Sequence, residues 1–259
     1  MIKTFSFHEG TSPLLVSVPH DGWQIPTDIV QHMSGAGRSI PDTDWHVSQL
    51  YDFVKESSAS MLSADFSRYV VDLNRPADDA SLYAGQLATG LCPLQTFGGA
   101  DIYLDPIEID KAERVATYWQ PYHQQLQQTL AALREQHGYA LLWDAHSIPS
   151  SVPALFEGEL PALNIGTFDG QSCAAPIAES VLAVAEASQY DAVMNARFKG
   201  GFITRHYGDP ENGVHAVQLE LAQRAYMHEK TLQFDREKAA ELRATLKLML
   251  DAFQEAASS

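Results

Sequence analysis

The sequence predicts a single α/β domain whose central sheet is mostly parallel. Short apolar runs rich in branched residues alternate along the chain with longer segments whose apolar residues recur every three to four positions. Strands and helices that alternate in this way form a parallel sheet. The run at residues 139–143 is continuously apolar, which is typical of a buried parallel strand. Because no repeat, low-complexity segment or linker interrupts the pattern, we expect one domain over residues 1–259.

The same patterns predict the individual elements. We predict strands at residues 14–18, 60–64, 69–73, 139–143, 163–167, 192–198 and 214–221. We predict helices at residues 47–54, 109–137, 176–187 and 238–257. Gly138 is the expected stop of the longest helix, and Pro121 should kink that helix, because proline has no N–H to donate. Residues 76–108 are rich in Gly, Pro, Asp and Thr, so we expect an irregular insertion there.

The composition narrows the class of protein. Hydrophobic residues make up 45% of the 259 residues and charged residues 19%, which is ordinary for a globular protein. The formal net charge of −16 argues against nucleic acids and anionic membranes as partners. With only Cys92 and Cys173, neither a disulfide framework nor a cysteine-based zinc finger is expected. We find no signal-peptide pattern and no membrane-spanning apolar run, so we expect a soluble cytoplasmic protein.

Polar side chains stand at the carboxyl ends of several predicted strands. These residues are His20, Asn74, Arg75, Asp144, His146 and Glu220. Ligand-binding groups of α/β proteins cluster at such strand ends, so we expect these side chains to meet. Glu220 lies among apolar residues, where a carboxylate is costly unless it is paired or functional. Each position also has an ordinary interpretation, as a turn residue or as an Asp–His hydrogen bond.

Two further stretches carry candidate residues. Asp42, Asp44 and His46 precede a helical pattern; either aspartate could be a helix N-cap, but three potential ligands within five positions exceed what a cap requires. Residues 200–208 begin and end with glycine and contain Arg205. Such a stretch is either a loop that closes over a substrate or an ordinary Gly-rich turn.

Together these residues contain the parts of a mononuclear zinc hydrolase. Such a site commonly uses two histidines and a carboxylate and leaves a position for water. The metal activates the water and polarises the substrate carbonyl, while a nearby carboxylate moves the proton. The sequence has no GxSxG motif and no phosphate-binding loop after a strand, so neither a serine hydrolase nor a nucleotide-binding protein is favoured.

Six motifs, each weak alone, occur in order along the chain. They are VPHDG at 18–22, DTDWH at 42–46, VDLNRP at 71–76, WDAHS at 143–147, GGFITRHYG at 200–208 and QLEL at 218–221. This ordered set resembles the N-formylglutamate amidohydrolase family, which is related to zinc carboxypeptidases and aspartoacylase-like hydrolases. The resemblance implies a three-layer, zinc-carboxypeptidase-like fold, with a mostly parallel but mixed sheet and helices on both faces. It also implies hydrolysis of N-formyl-L-glutamate to formate and L-glutamate, a step of histidine degradation, with one zinc or other divalent ion.

The resemblance also implies roles for individual residues. His20 and His146 match the two zinc histidines, and Glu220 matches the general acid/base. Asn74 and Arg75 match the pair that binds the substrate. From chemistry alone we add Arg205 as a second anchor, because the implied substrate is a dicarboxylic N-formyl amino acid.

The chain departs from the carboxypeptidase pattern at one position. Those enzymes have a glutamate ligand three residues after the first histidine, where this chain has Trp23. We therefore predict Asp44 as the carboxylate ligand, with Asp42 and His46 as alternatives. We expect Asp144 to orient a zinc histidine by hydrogen bonding.

Two other functions fit the same residues. The first is a zinc-dependent deacylase of another N-acyl amino acid, in which residues 76–108 would set the size of the acyl group. The second is a non-catalytic protein that binds a small molecule on the same scaffold. Loss of a ligand or of the late glutamate would be its signature, and all of those positions are filled here.

Overall fold

A seven-stranded mixed sheet runs through the centre of the molecule. The computed structural model describes residues 2–81 and 89–258. The strands are β1 (Phe5–His8), β2 (Leu14–Val18), β3 (Ser60–Ala64), β4 (Ala140–Ile148), β5 (Leu163–Gly166), β6 (Ala192–Met194) and β7 (Val214–Ala222). Their spatial order is β1-β3-β2-β4-β7-β5-β6. Strands β3, β2, β4 and β7 are mutually parallel, and antiparallel pairings attach β1 to β3 and β5 to β7. The predicted α/β fold with a mostly parallel sheet is confirmed.

Helices cover both faces of this sheet. They are α1 (Thr27–Val30), α2 (Gly35–Arg38), α3 (Val47–Leu50), α4 (Lys111–Arg114), α5 (Gln120–His137), α6 (Ala175–Glu186), α7 (Phe202–Tyr207) and α8 (Arg236–Ala257). Short 3₁₀ helices span Asp52–Glu56, Pro210–Asn212 and Gln223–Ala225, and a small ribbon pairs β8 (Met227–His228) with β9 (Gln233–Phe234). Side chains of α3, α6 and α8 share one apolar core with the sheet, and those of α5 and α7 share another. Among the described residues, no helix has the length and apolarity that a membrane span requires.

One face of the sheet turns polar toward the carboxyl ends of its strands. On β4, Leu142 lies in the apolar core beneath α5, and Asp144 and His146 follow it on the same face. On β7, Gln218 and Glu220 occupy the matching positions, with Glu220 directly opposite His146 in the parallel register. Asp144 and His146 therefore lie within β4, not after it as the sequence predicted, whereas Gln218 and Glu220 lie within β7, in agreement with the strand predicted at 214–221.

Residues 69–73, which we predicted as a strand, form a buried irregular segment. Their apolar side chains are at most 5% exposed, but no described strand pairs with them. The N–H of Val70 donates to the carbonyl of Ser67, and that of Asp72 to the carbonyl of Leu91. Branched apolar residues here indicate burial between layers and not a place in the sheet.

Other predictions also differ in part from the structure. Residues 200–208 contain a helix, α7, where we predicted a loop or a Gly-rich turn. The strand predicted at 192–198 ends at Met194, because Asn195 has a left-handed backbone with φ of 53°. Residues 76–81 and 89–108 of the predicted insertion carry no helix and no strand of the main sheet, and its residues 82–88 lie outside the described part of the chain.

The long predicted helix begins at Lys111 and ends at His137, where Gly138 adopts a φ of 84°. A five-residue π-helical turn, Val115–Trp119, joins α4 to α5. At the end of this turn, the N–H of Gln120 donates to the carbonyl of Val115, five residues earlier. The expected distortion is therefore a π turn just before Pro121, whose missing N–H interrupts the regular ladder.

His123 on α5 has both ring nitrogens hydrogen-bonded inside the fold. Its Nε2 lies 2.9 Å from the carbonyl oxygen of Leu73, which can only accept, so Nε2 carries the proton. Its Nδ1 is then the acceptor for the Tyr207 hydroxyl at 2.9 Å. Burial lowers the pKa of His123 to about 3, so the ring is neutral near pH 7.

We expect this histidine to make the fold less stable in acid. The unfolded residue takes up a proton near the ordinary pKa of 6.5, whereas the folded residue stays neutral down to about pH 3. The unfolded state thus binds more protons between these values, and the free energy of unfolding falls as pH drops, by ~1.4 kcal/mol per pH unit from this residue. Urea denaturation of the wild type and of His123→Gln, between about pH 5 and pH 7, measures the effect. Equal pH dependence in the two proteins would contradict the prediction.

Candidate active site

One cavity lies at the carboxyl-terminal ends of β2, β4 and β7. It is lined by His20, Asp44, Arg68, Asn74, Arg75, Thr89, Phe97, His146, Ser147, Ile148, Leu155, Arg197, Phe198, Gly201, Gln218 and Glu220. Six of the predicted site residues are therefore brought together. The other two, Asp144 and Arg205, are absent from the lining, and Asp144 contacts His146.

His20, Asp44 and His146 form a buried cluster on one side of the cavity. Asp44 Oδ2 lies 3.0 Å from His146 Nδ1 and 3.8 Å from His20 Nδ1. The backbone N–H of Asp44 donates to the carbonyl of His20, and Asp44 Oδ2 accepts from the N–H of Ser147. The loop that carries Asp44 is thus bonded to both histidine segments, although more than 100 residues separate Asp44 from His146 in sequence.

A carboxylate faces the far nitrogen of each histidine. Asp72 Oδ1 lies 2.7 Å from His20 Nε2, and Asp144 Oδ1 lies 3.1 Å from His146 Nε2. The other oxygen of Asp144 accepts from the Thr204 hydroxyl at 3.0 Å. Carboxylates in these positions fix the tautomer and the orientation of metal-binding histidines. Both Nδ1 atoms therefore point toward Asp44.

The donor set of this cluster suits a small cation. The three residues are at most 3% exposed, and their ligand atoms lie within 4.8 Å of one another. Two imidazole nitrogens and one carboxylate oxygen are a common ligand set of catalytic zinc sites. Burial by itself lowers the pKa of His146, but Asp144 and Asp44 outweigh burial and hold this pKa well above its ordinary value. Asp144 and Asp44 thus stabilise a positive charge on the His146 ring, whereas burial and the Arg68 charge lower the pKa of His20.

The two alternative ligands lie elsewhere. Asp42 Oδ2 accepts from the Tyr69 hydroxyl at 2.6 Å and from the N–H of Phe97 at 2.8 Å. His46 has its Nε2 2.8 Å from the carbonyl of Leu232. Neither residue lines the cavity, so the geometry favours Asp44 among the three candidates.

Glu220 is held beside the cluster with little freedom. Its side chain is buried, and Gln218 Nε2 donates to Glu220 Oε2 at 3.2 Å. The N–H of Gly201 donates to Gln218 Oε1 at 2.6 Å, which sets the orientation of that amide. Burial raises the pKa of Glu220 to about 8. A carboxyl group with this property is suited to exchange protons near neutral pH.

Asn74 and Arg75 form a third part of the cavity wall. Asn74 Oδ1 accepts a backbone N–H of α7 at 2.8 Å, and its Nδ2 lies 3.1 Å from His146 Nε2. A Cβ atom on Gly201 would lie 2.3 Å from Asn74 Nδ2, so this close approach requires glycine. The Arg75 guanidinium donates to the carbonyl and hydroxyl oxygens of Thr89 at 2.9 and 3.1 Å. These bonds hold it at the edge of the cavity.

Arg205 is not among the residues that line the cavity. Its guanidinium carbon lies 4.5 Å from the ring centroid of Phe168, and its Nε donates to the carbonyl of Gly200 at 2.7 Å. We predicted Arg205 from the chemistry of the implied substrate, and the structure places it on the helix at residues 202–207, outside the cavity lining. Arg197 lines the cavity instead and donates from Nε to the carbonyl of Leu155 at 2.9 Å.

Three buried residues of the site were not predicted: Arg68, Asp72 and Gln218. Arg68 Nη2 lies 2.7 Å from Asp72 Oδ2, and Arg68 Nη1 lies 3.7 Å from an oxygen of Asp44. A usable signal existed, because Arg68 and Asp72 are charges inside an apolar segment. Gln218 stands two residues before Glu220, on the same face of a strand.

Comparison with known proteins identifies the relatives of this chain. The profile of the family described as N-formylglutamate amidohydrolase matches residues 12–227. An N-formylglutamate deformylase from Pseudomonas putida is 49% identical over 257 residues, which covers 97% of this chain and 96% of that protein. An N-formylglutamate deformylase from Pseudomonas aeruginosa is 46% identical, with the same coverage of both chains.

Solved structures share the fold. The crystal structure of an N-formylglutamate amidohydrolase from Ralstonia eutropha superposes with a TM-score of 0.83 at 23% identity, covering 98% of both chains. A gene product of Agrobacterium tumefaciens superposes with a TM-score of 0.75 at 18% identity, covering 98% of this chain and 96% of that one. The family profile spans most of the sequence, and the Pseudomonas relatives align over nearly all of it. The chain therefore belongs to the N-formylglutamate amidohydrolase family of enzymes.

Proposed function

We propose that this protein hydrolyses N-formyl-L-glutamate to formate and L-glutamate with the help of one zinc ion. The observation that carries the proposal is a buried His–Asp–His cluster that shares a cavity with Glu220 and with arginines at the wall. The names of the Pseudomonas relatives support the substrate. The structural neighbours support only the fold.

The chain's own residues provide a site for the metal. His20 and His146 would each contribute Nδ1, and Asp44 a carboxylate oxygen. Zinc bound there supplies Lewis acidity, which polarises the formyl carbonyl and makes water a better nucleophile at neutral pH. Asp72 accepts the Nε2 proton of His20, which leaves the Nδ1 of that ring with a lone pair for the ion. Asp144 Oδ1 lies 3.1 Å from His146 Nε2, and its negative charge favours a cation bound to that ring.

Glu220 moves the proton in the proposed reaction. Water adds to the formyl carbon, the C–N bond breaks, and the nitrogen leaves as the amine of glutamate. A carboxylate oxygen of Glu220 accepts the proton from water and returns it to the amide nitrogen. Burial favours the protonated acid, but a cation in the adjacent cluster lowers the pKa, because opposite charges stabilise each other. The N–H from Gln218 also favours the ionised carboxylate.

Arginines at the cavity wall provide sites for the two carboxylates of the substrate. Arg75 and Arg197 both line the cavity of a protein whose formal net charge is −16. A guanidinium fork binds a carboxylate through two parallel hydrogen bonds. We assign one substrate carboxylate to each arginine, and Arg197 takes the role that the sequence suggested for Arg205.

Replacement of Arg197 by methionine is expected to raise KM and to leave kcat nearly unchanged. A charge-assisted hydrogen bond that is equally strong in the ground and transition states affects binding alone, so KM should rise ~10- to 100-fold. Arg205→Met is the matched control, because Arg205 lies outside the cavity, and its KM should stay within about twofold of the wild type. Steady-state kinetics of formate release measures both variants. The opposite pattern would restore Arg205 as the anchor.

Formate release from N-formyl-L-glutamate is the test of the proposed function. The assay compares this substrate with N-acetyl-L-glutamate and N-formyl-L-aspartate, before and after metal removal and after zinc is added back. We expect release that depends on metal and is fastest from N-formyl-L-glutamate. Metal-dependent turnover mainly of another acyl substrate would move the protein to the related deacylase activity. Full activity after complete metal removal would refute the zinc mechanism.

A further inference from the structure

The two backbone carbonyls on either side of Asn74 are both held by side chains of one helix. The carbonyl of Leu73 accepts from His123 Nε2 at 2.9 Å, and the carbonyl of Arg75 accepts from Trp119 Nε1 at 2.9 Å. The segment has no partner strand among the described residues, so no sheet ladder can satisfy these carbonyls. These two donors therefore help to fix its path, together with Asp72, which accepts the N–H of Asn74 at Oδ1 and the N–H of Arg75 at its carbonyl.

The two donor side chains lie four residues apart and stack on each other. Trp119 ends the π-helical turn, and His123 lies four residues later on α5. Their rings stack with centroids 3.7 Å apart and planes 21° apart, so each side chain limits the rotation of the other. Arg114, before the π turn, donates to the carbonyl of Val70 at 2.9 Å. Side chains from both sides of the π turn thus bond the same irregular segment.

His123 also connects this segment to α7. Its Nδ1 accepts from the hydroxyl of Tyr207, the last residue of α7. The first turn of α7 holds the side chain of Asn74, because the N–H of Ile203 donates to Asn74 Oδ1 at 2.8 Å. The carbonyls on both sides of Asn74 are therefore bonded by Trp119 and His123, and its side-chain amide is bonded by α7.

We propose that Trp119 and His123 are positioning residues of the reaction, which place Asn74 and Arg75 at the wall of the active-site cavity. Neither residue lines the cavity, so each acts through the segment that it holds. The inference rests on the proposed function, because a change in KM for N-formyl-L-glutamate is meaningful only if this molecule is the substrate.

Trp119→Phe removes one donor and keeps an aromatic ring at the stack. His123→Phe does the same at the second position, and His123→Gln keeps a donor for the Leu73 carbonyl and an acceptor for Tyr207.

Double-mutant cycles on the zinc-loaded enzyme distinguish positioning from a general structural role. We expect Trp119→Phe to raise KM for N-formyl-L-glutamate ~10-fold or more, since small displacements of binding groups are costly. In an Arg75→Met background the same substitution should change kcat/KM by less than about twofold, because its effect passes through Arg75. His123→Phe should couple in the same way to Asn74→Ala, and His123→Gln should recover most of the lost kcat/KM. Equal effects in both backgrounds would overturn the proposal.

Tyr122→Phe is the matched structural control. Tyr122 is the neighbour of His123 on α5, is fully buried, and lies 3.0 Å from the Ser17 hydroxyl on another side of the helix. This variant should lose stability without a change in KM. Hydrogen exchange at the backbone amides of residues 72–75 provides a readout that does not depend on activity. It should accelerate ~10-fold or more in Trp119→Phe and His123→Phe and stay unchanged in Tyr122→Phe. Unchanged exchange in Trp119→Phe and His123→Phe would overturn the positioning proposal, whether or not the wild type releases formate. Absence of formate release by the wild type would contradict only the proposed function.

Discussion

The Glu220→Gln variant will keep its metal site and lose turnover, with kcat lower by ~10²–10⁴-fold. Glutamine fills nearly the same space as glutamate, but its amide cannot accept a proton at neutral pH. Glu220 is 7% exposed and lies opposite His146 in the sheet register, so bulk water has little access to replace it as a base. The substitution changes none of the three proposed ligands. Kinetics of formate release, together with zinc content per chain, separates loss of proton transfer from loss of metal.

A second glutamate supplies the control for this prediction. Glu229 Oε1 accepts from the N–H of Ser150 at 2.7 Å and from the N–H of Arg224 at 3.0 Å, but Glu229 does not line the cavity. Glu229→Gln should therefore retain kcat within about twofold, since substitutions away from the site leave the chemistry intact. If Glu220→Gln behaved like Glu229→Gln, the acid/base role of Glu220 would be refuted.

The strands that carry the site were predictable from local pattern. Alternation along an extended chain places Asp144 with His146, and Gln218 with Glu220, on one face of their strands. An apolar run that becomes polar near its carboxyl end indicates where ligands gather in α/β proteins. The pattern gave the extent of β7 to within one residue but did not reveal how far β4 continues, because strand ends depend on pairing with neighbours that are distant in sequence.

The part of the fold that was predicted wrongly, and the cavity residues that were missed, depend on contacts between distant elements. Residues 69–73 carry the residue types of a strand, but side chains of a distant helix satisfy two of their carbonyls. Arg205 and Arg197 are equivalent candidates by residue type, and only the helical conformation of residues 202–207 separates them. Asp72 stood inside a recognised motif, yet its role depends on a contact with His20, 52 residues earlier.

The choice among Asp42, Asp44 and His46 as the metal ligand also depends on contacts between distant elements. The three residues lie within one motif, and residue type alone cannot rank them. Their hydrogen bonds do rank them, because those of Asp42 and His46 lead away from the cavity, whereas Asp44 Oδ2 lies within 4 Å of both histidine Nδ1 atoms. This geometric distinction leads to the second large effect that we expect.

Replacement of Asp44 by asparagine is expected to weaken zinc binding by at least ~100-fold and to lower activity in proportion to the bound metal. The amide has nearly the same shape as the carboxylate, but it lacks the negative charge that the cation and the two histidines share. Asp42→Asn is the matched control: its side-chain oxygen can still accept from Tyr69 and Phe97, so zinc affinity should stay within about twofold of the wild type. Competition with a chelator of known affinity measures both variants, and circular dichroism reports whether each one is folded. Tight zinc binding by a folded Asp44→Asn protein, with loss of zinc in Asp42→Asn, would transfer the ligand role to Asp42. Weakening in Asp44→Asn alone would identify Asp44 as the carboxylate that takes the place of the glutamate absent at Trp23.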